Sequence, residues 1–127
     1  MRHILIADDS QTARLFIRRC LDILGLEDVT ISEAVDGADA LEQVKKGNFD
    51  LLLTDLNMPR MDGQSLLQRV KASPKLTDIP VVVITSAGNP AKEKELVAQG
   101  AAAVLNKPIS PATLSPVIEA VLSTEEI

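Results

Sequence analysis

The sequence predicts an α/β fold in which five parallel strands alternate with five helices, a doubly wound (βα)5 domain. Five short apolar runs are separated by helical patterns along the chain, and the connections between them are short. Two of these runs, residues 51–53 and 81–84, are apolar at every position, which is typical of strands that helices cover on both faces. The predicted strands are residues 4–7, 29–32, 51–54, 81–85 and 102–105.

The first predicted helix carries one apolar stripe. Its members recur at spacings of three and four residues and are Ala13, Phe16, Ile17, Cys20, Leu21 and Leu24. Gly25 follows at the position where helices often end in a left-handed residue. Later boundaries are marked in similar ways, by Gly47 and Gly100 at helix ends and by Asn89-Pro90 and Ser110-Pro111 at helix starts.

The last predicted helix contains a proline. Its apolar face consists of Leu114, Val117, Ile118, Val121 and Leu122. If this helix starts at Ser110, Pro116 lies in its interior and removes the hydrogen bond to the Ala112 carbonyl, at a cost of about 3 kcal/mol. We therefore expect an irregular first turn, or a helix start nearer Ser115.

Length and composition exclude several classes of protein. The 127 residues suit a single domain, residues 1–127, and the absence of Tyr and Trp requires an aliphatic core. The net charge of −5 argues against a nucleic-acid-binding face. A single cysteine, Cys20, excludes an internal disulfide and a structural zinc site, and we expect it to be plain core. No apolar run reaches membrane-spanning length and no signal peptide is evident, so we expect a cytoplasmic protein with no membrane partner.

Polar and charged residues follow the predicted strands at their C-terminal ends. They are Asp8 and Asp9 after the first strand, Asp55 after the third, Thr85 and Ser86 at the end of the fourth, and Lys107 after the fifth. Each residue alone has an ordinary explanation, such as a helix cap or a solvated surface position. Right-handed crossovers, however, bring the ends of parallel strands to one edge of the sheet, where such folds place their sites.

The predicted edge has the chemistry of a phosphorylation site. Three carboxylates repel one another, at about 4 kcal/mol for a close pair at an effective dielectric of about 20, and therefore require a cation or raised pKa values. Oxygen ligands without histidine or cysteine favour Mg²⁺. Lys107 supplies a mobile positive charge, Thr85 a hydroxyl donor, and the loops near Asn57 and Ser86 supply amides. Together these are the parts that an aspartyl phosphate needs.

These motifs resemble those of the CheY-like receiver domains of two-component signalling, in their single-domain form. The resemblance covers essentially the whole chain. The matching segments are residues 4–10, 51–59, 61–63, 80–86 and 106–108. The resemblance implies a flavodoxin-like sheet with strand order 2-1-3-4-5. It also implies a phosphoacceptor in a two-component system or phosphorelay that signals by phosphorylation-dependent partner binding and catalyses only its own phosphorylation and dephosphorylation.

The resemblance also implies a nucleophile and a metal site. Asp55 is the residue that takes a phosphoryl group from a phosphohistidine or a small phosphodonor. Asp9 binds Mg²⁺ directly, Asp8 binds it mainly through water, and Asp55 and the backbone carbonyl of Asn57 complete the protein ligands. Mn²⁺ is an acceptable substitute.

Further residues are assigned to the phosphoryl group by the same resemblance. Lys107 pairs with the phosphoryl group, Thr85 hydrogen-bonds to it, and the backbone of Asn57 and Ser86 contacts it. The Lys107–Pro108 bond is expected to be cis and to aim the lysine into the site.

The expected partners are a sensor histidine kinase or a histidine phosphotransfer protein and an output protein. His3 is the only histidine, and we interpret it as a surface or edge residue, so the donor histidine lies on another protein. Leu15, which lies off the apolar stripe among arginines, is a candidate contact for that donor. The output protein is expected at the face of the fourth helix, fifth strand and fifth helix, and the unphosphorylated chain is expected to be a monomer.

Two departures from the family pattern concern output and phosphoryl lifetime. Val104 occupies the switch position, where many receivers carry Tyr or Phe, and Ala87 stands where some relatives place an acid or amide. We therefore expect the signal to travel mainly through backbone shifts in residues 86–90, where Gly88 permits unusual dihedral angles.

Four alternatives remain at this point. A haloacid-dehalogenase-like phosphatase also uses an aspartate nucleophile followed two residues later by a polar group, but the acidic pair here lies upstream and there is no room for a cap. A flavodoxin-like flavin carrier would lack a tyrosine or tryptophan to stack on the ring. A dinucleotide-binding domain would lack its glycine-rich turn. A receiver that binds partners without phosphorylation is disfavoured by the complete acidic triad.

Overall fold

The computed structural model describes residues 2–26, 28–86 and 89–123. This part of the chain forms β1 (Arg2–Ala7), α1 (Gln11–Ile23), β2 (Val29–Ala34), α2 (Gly37–Lys46), β3 (Leu51–Asp55), α3 (Gly63–Ala72), β4 (Val81–Thr85), α4 (Pro90–Ala98), β5 (Ala103–Asn106) and α5 (Pro111–Ser123). The strands form one parallel sheet in the order β2-β1-β3-β4-β5. The predicted doubly wound fold and strand order are confirmed.

Helices cover both faces of the sheet, as the continuous apolar strands predict. One core packs α1 and α5 against one face, and a second packs α2, α3 and α4 against the other. Every residue of β3 and of β4 is buried because side chains on both of their faces enter a core. The helix α4 contributes a single buried residue, Leu96, among those described.

The strand register aligns the C-terminal ends at one edge. Ala7 pairs with Ala34 on one side and Thr54 on the other, and Asp55 pairs with Ile84. Because the strands are parallel and in register, the loops that leave β1, β3, β4 and β5 emerge together.

Side-chain caps begin several helices beside this edge. Ser10 caps α1, Asp36 caps α2, Asp62 caps α3 and Asn89 caps α4, each accepting a hydrogen bond from a backbone amide of the first turn. Asn89 is followed by a proline at the first helical position, as the sequence predicts.

Two expectations for the helices are wrong. Phe16 is 47% exposed rather than part of the core stripe, because it lies against a cavity of about 550 Å³ between α1 and the loop after β5. The last helix begins at Pro111, as the Ser110-Pro111 pair predicts and not near Ser115, and it continues through Pro116. Pro116 is tolerated because it and Ala112 are both exposed, so water can satisfy the carbonyl that loses its partner.

Smaller expectations are met, one of them only in part. Gly25 follows Leu24, the C-cap of α1, and has a φ of 71°, as a left-handed helix end requires. Cys20 is 2% exposed within the core. The expectation that His3 is a surface or edge residue is met only in part: it is half-buried at the start of β1, where its ring stacks on Phe49 and hydrogen-bonds to Ser32. This position is at the opposite end of the strand from the C-terminal edge.

Candidate functional site

Three carboxylates meet at the C-terminal edge of the sheet. Asp8 and Asp9 follow β1, and Asp55 ends the adjacent strand β3. One carboxylate oxygen from each of the three lies within 4.8 Å of the other two. Asp8 and Asp55 are 2% and 8% exposed, whereas Asp9 is exposed. The cluster therefore has two buried members and one that faces solvent.

Asp8 is fixed by bonds to its backbone and its side chain. Its amide donates to the Ala34 carbonyl at 3.1 Å, and its carbonyl accepts from Arg14 Nη1 at 2.6 Å. Its Oδ1 accepts from the Ser10 amide at 2.9 Å. The turn between β1 and α1 is thus held at three points around one residue.

Lys107 reaches the acids from the loop after β5. Its Nζ lies 3.1 Å from Asp55 Oδ1 and 3.8 Å from Asp8 Oδ2. Its amide donates to the Thr85 carbonyl at 2.8 Å, which ties the lysine to the end of β4. The following Lys107–Pro108 peptide bond is cis. Thr85 itself is 2% exposed, at the end of the strand beside β3.

The loop between β3 and α3 is closed over the end of β3. The Leu56 amide donates to the Ile84 carbonyl at 2.9 Å, and the Gly63 amide donates to the Leu56 carbonyl at 2.8 Å. Asn57 leaves the sheet between these two bonds with an exposed side chain. Ser86 is likewise exposed, directly after β4.

An ion pair and a backbone hydrogen bond join the loop between β3 and α3 to the start of α2. Arg60, at a φ of 66°, places Nε 2.8 Å from Oδ2 of the buried Asp36. The Gly37 amide donates to the Met61 carbonyl at 3.0 Å. A Cβ at Gly37 would lie 2.3 Å from that carbonyl oxygen, so only glycine allows this approach.

The electrostatics of the cluster favour a cation. Burial raises the pKa of Asp8 above its usual value, and the charges of Asp55 and Asp9 raise it further, while the Ser10 amide and Lys107 lower it. The charges of the neighbouring carboxylates thus oppose ionisation of Asp8, and a bound cation would offset that repulsion. Three convergent carboxylate oxygens form a donor set that hard cations such as Mg²⁺ prefer, so the residues present fit a magnesium ion.

The raised pKa of Asp8 gives a testable dependence of stability on pH. A carboxyl with a raised pKa in the folded state stabilises the fold while it is protonated, and this contribution is lost as the pH rises through that pKa. In chelator, we expect Asp8→Asn to melt higher than the wild type by roughly 2 to 5 °C at neutral pH. The gain should vanish at a pH below the unfolded value of 3.8. Thermal melts across this pH range with saturating Mg²⁺ as a second condition test it, and an equal or lower melting temperature at neutral pH contradicts it.

The structure brings most of the predicted site residues to one edge. Carboxylate oxygens of Asp8, Asp9 and Asp55 lie within 4.8 Å of one another. Lys107 lies close to Asp8 and Asp55, and its amide bonds to the Thr85 carbonyl. Val104 lies on β5 and is partly buried against the core that includes α4. Of the loop 86–90, Ala87 and Gly88 lie outside the described residues.

Two supporting contacts are absent from the sequence-based prediction. They are the bond from Arg14 to the Asp8 carbonyl and the ion pair between Arg60 and Asp36. Arginine side chains that bond to backbone or to acids distant in the sequence leave no periodic signal. The αL geometry of Arg60 would be suggested only by its place in a Pro-Arg-Met-Asp-Gly turn.

Comparison with known protein families identifies the family to which this chain belongs. The family described as "Response regulator receiver domain" matches residues 4–119. The chain belongs to this family. Receiver domains are signalling proteins, and the chain is accordingly a phosphoacceptor of two-component signalling.

Individual relatives agree with this assignment. The receiver domain is 36% identical over 124 residues to chemotaxis protein CheY1 of Helicobacter pylori, covering 97% of this chain and 98% of that protein. It is 39% identical over 111 residues to chemotaxis protein CheY-3 of Vibrio cholerae, covering 87% of this chain and 84% of that protein. The high-resolution structure of chemotaxis response regulator CheY4 of Vibrio cholerae matches with a TM-score of 0.84 at 31% identity, covering 95% of this chain and 98% of that one.

Receiver domains of the CheY type interact with histidine kinases and output proteins. A further structural match is the receiver domain of a DNA-binding response regulator from Colwellia psychrerythraea, with a TM-score of 0.89 at 27% identity over 97% of this chain and 99% of that one.

Across residues 2–26, 28–86 and 89–123, no helix of this receiver domain has both the length and the apolar character needed to cross a membrane.

Proposed function

We propose that Asp55 is the phosphoacceptor, and that Asp8, Asp9, Asp55 and the backbone carbonyl of Asn57 hold Mg²⁺, with Mn²⁺ as a substitute. The observation that carries this proposal is the position of Asp55. Its carboxylate lies among two further acids and 3.1 Å from the Lys107 ammonium group. A buried carboxylate placed between a cation site and a lysine has what an aspartyl phosphate requires.

The transfer itself is a displacement at phosphorus. An Asp55 carboxylate oxygen forms the new bond to phosphorus as the bond to the donor breaks. The leaving group, the imidazole nitrogen of a phosphohistidine or the acetate of acetyl phosphate, keeps the electron pair. Lys107 pairs with a phosphoryl oxygen, and the Thr85 hydroxyl and the backbone of Asn57 and Ser86 contribute further hydrogen bonds. Bound Mg²⁺ supplies positive charge that offsets the acids and the phosphoryl oxygens.

Output is proposed to depend on the same hydroxyl. Thr85 draws toward the phosphoryl group, and the space near Val104 must be adjusted in response. Val104 is β-branched with a stiff χ1 and cannot swing as an aromatic ring does. The signal therefore passes through the backbone of residues 86–90 and the adjacent helix α4. Among the described side chains of α4, only Leu96 is buried in the core.

Two faces are proposed to meet partners. The donor, a sensor histidine kinase or a histidine phosphotransfer protein, approaches α1, where Leu15 is 49% exposed. Two of the nearby arginines, Arg14 and Arg18, pair with Glu33, so the apolar side chain is the feature the donor would contact. An output protein binds the face of α4, β5 and α5. We infer that the unphosphorylated domain is a monomer and acts in the cytoplasm, where kinases draw on ATP.

Phosphorylation by a small donor tests the proposed function. Incubated with acetyl phosphate and Mg²⁺, the protein should gain one phosphoryl group that base removes, because an acyl phosphate is hydrolysed readily. Intact-mass spectrometry measures the gain, and a chelator should reduce it strongly. Absence of any mass gain would contradict the proposal. Steady turnover of a phosphate ester without a stoichiometric phosphoprotein would instead favour the phosphatase alternative.

A further inference from the structure

Arg14 connects the acidic turn to the edge strand of the sheet. It lies in the first turn of α1 and points back over the start of the helix. Its Nη1 donates to the Asp8 carbonyl at 2.6 Å, and its Nε donates to Glu33 Oε1, on β2, at 2.8 Å. The side chain is only 12% exposed. One guanidinium group thus spans two elements that are adjacent to the site.

The bond to the Asp8 carbonyl controls where Asp9 lies. The Asp8 carbonyl and the Asp9 amide belong to one peptide plane. Strand β1 ends at Ala7, so the sheet ladder no longer fixes this plane. Rotation of the plane would redirect Asp9, the exposed member of the acidic cluster. The hydrogen bond from Arg14 restrains the Asp8–Asp9 peptide plane where the backbone hydrogen bonds of the sheet no longer do so.

The geometry separates this role from simple neutralisation of charge. Arg14 bonds to the carbonyl of Asp8, not to its carboxylate, and its charge is matched by the carboxylate of Glu33. A lysine has a single point of attachment and cannot serve both acceptors with the fixed spacing of a guanidinium fork. Arg14→Lys keeps the positive charge but removes the two-point attachment of the guanidinium group, so the two contributions can be tested separately.

We propose that Arg14 is a positioning residue for the phosphoryl-transfer site: by bridging the Asp8 carbonyl to Glu33 it holds the Asp8–Asp9 peptide so that both carboxylates face Asp55. This inference rests on the proposed function, since it assigns the acids to Mg²⁺. Partners that orient metal ligands from outside commonly change metal affinity by about 10-fold or more when they are replaced.

Binding of Mg²⁺ alone to Arg14→Lys tests the proposal. Calorimetric titration should give an affinity about 10-fold weaker than that of the wild type. At saturating Mg²⁺, labelling by acetyl phosphate should return to the wild-type rate, because Arg14 only places the acids. Arg18→Lys is the matched control: Arg18 lies on the same helix and 3.7 Å from Glu33 Oε2, but bonds to the Ile31 carbonyl rather than to Asp8. Its Mg²⁺ affinity should be that of the wild type.

A readout without metal separates this proposal from the proposed function. In metal-free protein, the Asp9 and Ser10 amide signals should shift in Arg14→Lys and stay in place in Arg18→Lys, with similar melting temperatures for both. If the wild type binds no Mg²⁺, the proposed function is contradicted. The Asp9 and Ser10 amide signals would still show whether Arg14 positions the turn between β1 and α1. Unchanged amide signals in Arg14→Lys overturn the inference. So does a loss of affinity in Arg14→Ala that Arg14→Lys does not share, because charge alone would then suffice.

Discussion

Asp55→Asn is expected to abolish the transfer of a phosphoryl group from acetyl phosphate. Asparagine carries an amide in place of the carboxylate. The amide oxygen is too weak a nucleophile to attack phosphorus and form an acyl phosphate, and loss of a proton from the amide does not produce a carboxylate. The side chain keeps its shape, so the 8% exposed position still packs and the fold should persist. We expect a loss of labelling of about 100-fold or more, in keeping with the loss of a nucleophile.

The control for this substitution is Asp62→Asn in the same loop. Asp62 caps α3 by accepting from the Ser65 amide at 2.7 Å, and asparagine caps a helix about as well as aspartate. Intact-mass spectrometry at fixed Mg²⁺ should show full labelling of Asp62→Asn and none of Asp55→Asn. Undiminished labelling of Asp55→Asn would show that another residue accepts the phosphoryl group.

Gly63→Ala is expected to be strongly destabilising and to slow phosphorylation. A Cβ at this position would lie 2.2 Å from the Asp55 carbonyl oxygen and 3.0 Å from the Leu56 Cα. Both are backbone atoms and cannot move aside as a flexible side chain can, so α3 or the end of β3 must shift. Forced overpacking of this kind costs about 3 kcal/mol, which would lower the melting temperature of this domain by roughly 10 °C.

Gly25→Ala separates crowding from backbone strain. Gly25 has a φ of +71°, but a Cβ added there would have no atom within 4 Å. Alanine at this position therefore meets only the cost of the left-handed conformation, about 1 kcal/mol. It lies at the far end of α1 from the acids, and its labelling rate should be unchanged. Equal melting temperatures for the two variants would mean that the contact between Gly63 and Asp55 is not tight.

Much of the site could be predicted from the sequence because the apolar runs show where each strand ends. The continuous apolar runs before Asp55 and Thr85 mark buried parallel strands, and parallel strands bring the residues after them to one edge. The clustering of the acids with Lys107 required nothing more than that alternation of strands and helices. The roles within the cluster came from the resemblance to receiver domains rather than from the pattern.

Packing between elements was less predictable. Phe16 shares the period of the α1 stripe, yet it borders a cavity and is 47% exposed. Pro116 opposes a regular helix by local rules, yet α5 continues through it because its buried side chains, Leu114, Ile118 and Leu122, pack against the sheet. Tertiary packing outweighs a local cost of a few kcal/mol when enough apolar surface is buried.

The sequence by itself determined the order of strands and helices and the edge at which the chemistry gathers, because hydrophobic periodicity and strand ends are local properties. Tertiary structure alone decided which side chains support that edge. Arg14 reaches Glu33, nineteen residues away, and Arg60 reaches Asp36, because β1, β2 and β3 belong to one sheet. Such pairs depend on how separate elements pack in space, and no periodic feature of a single element records them.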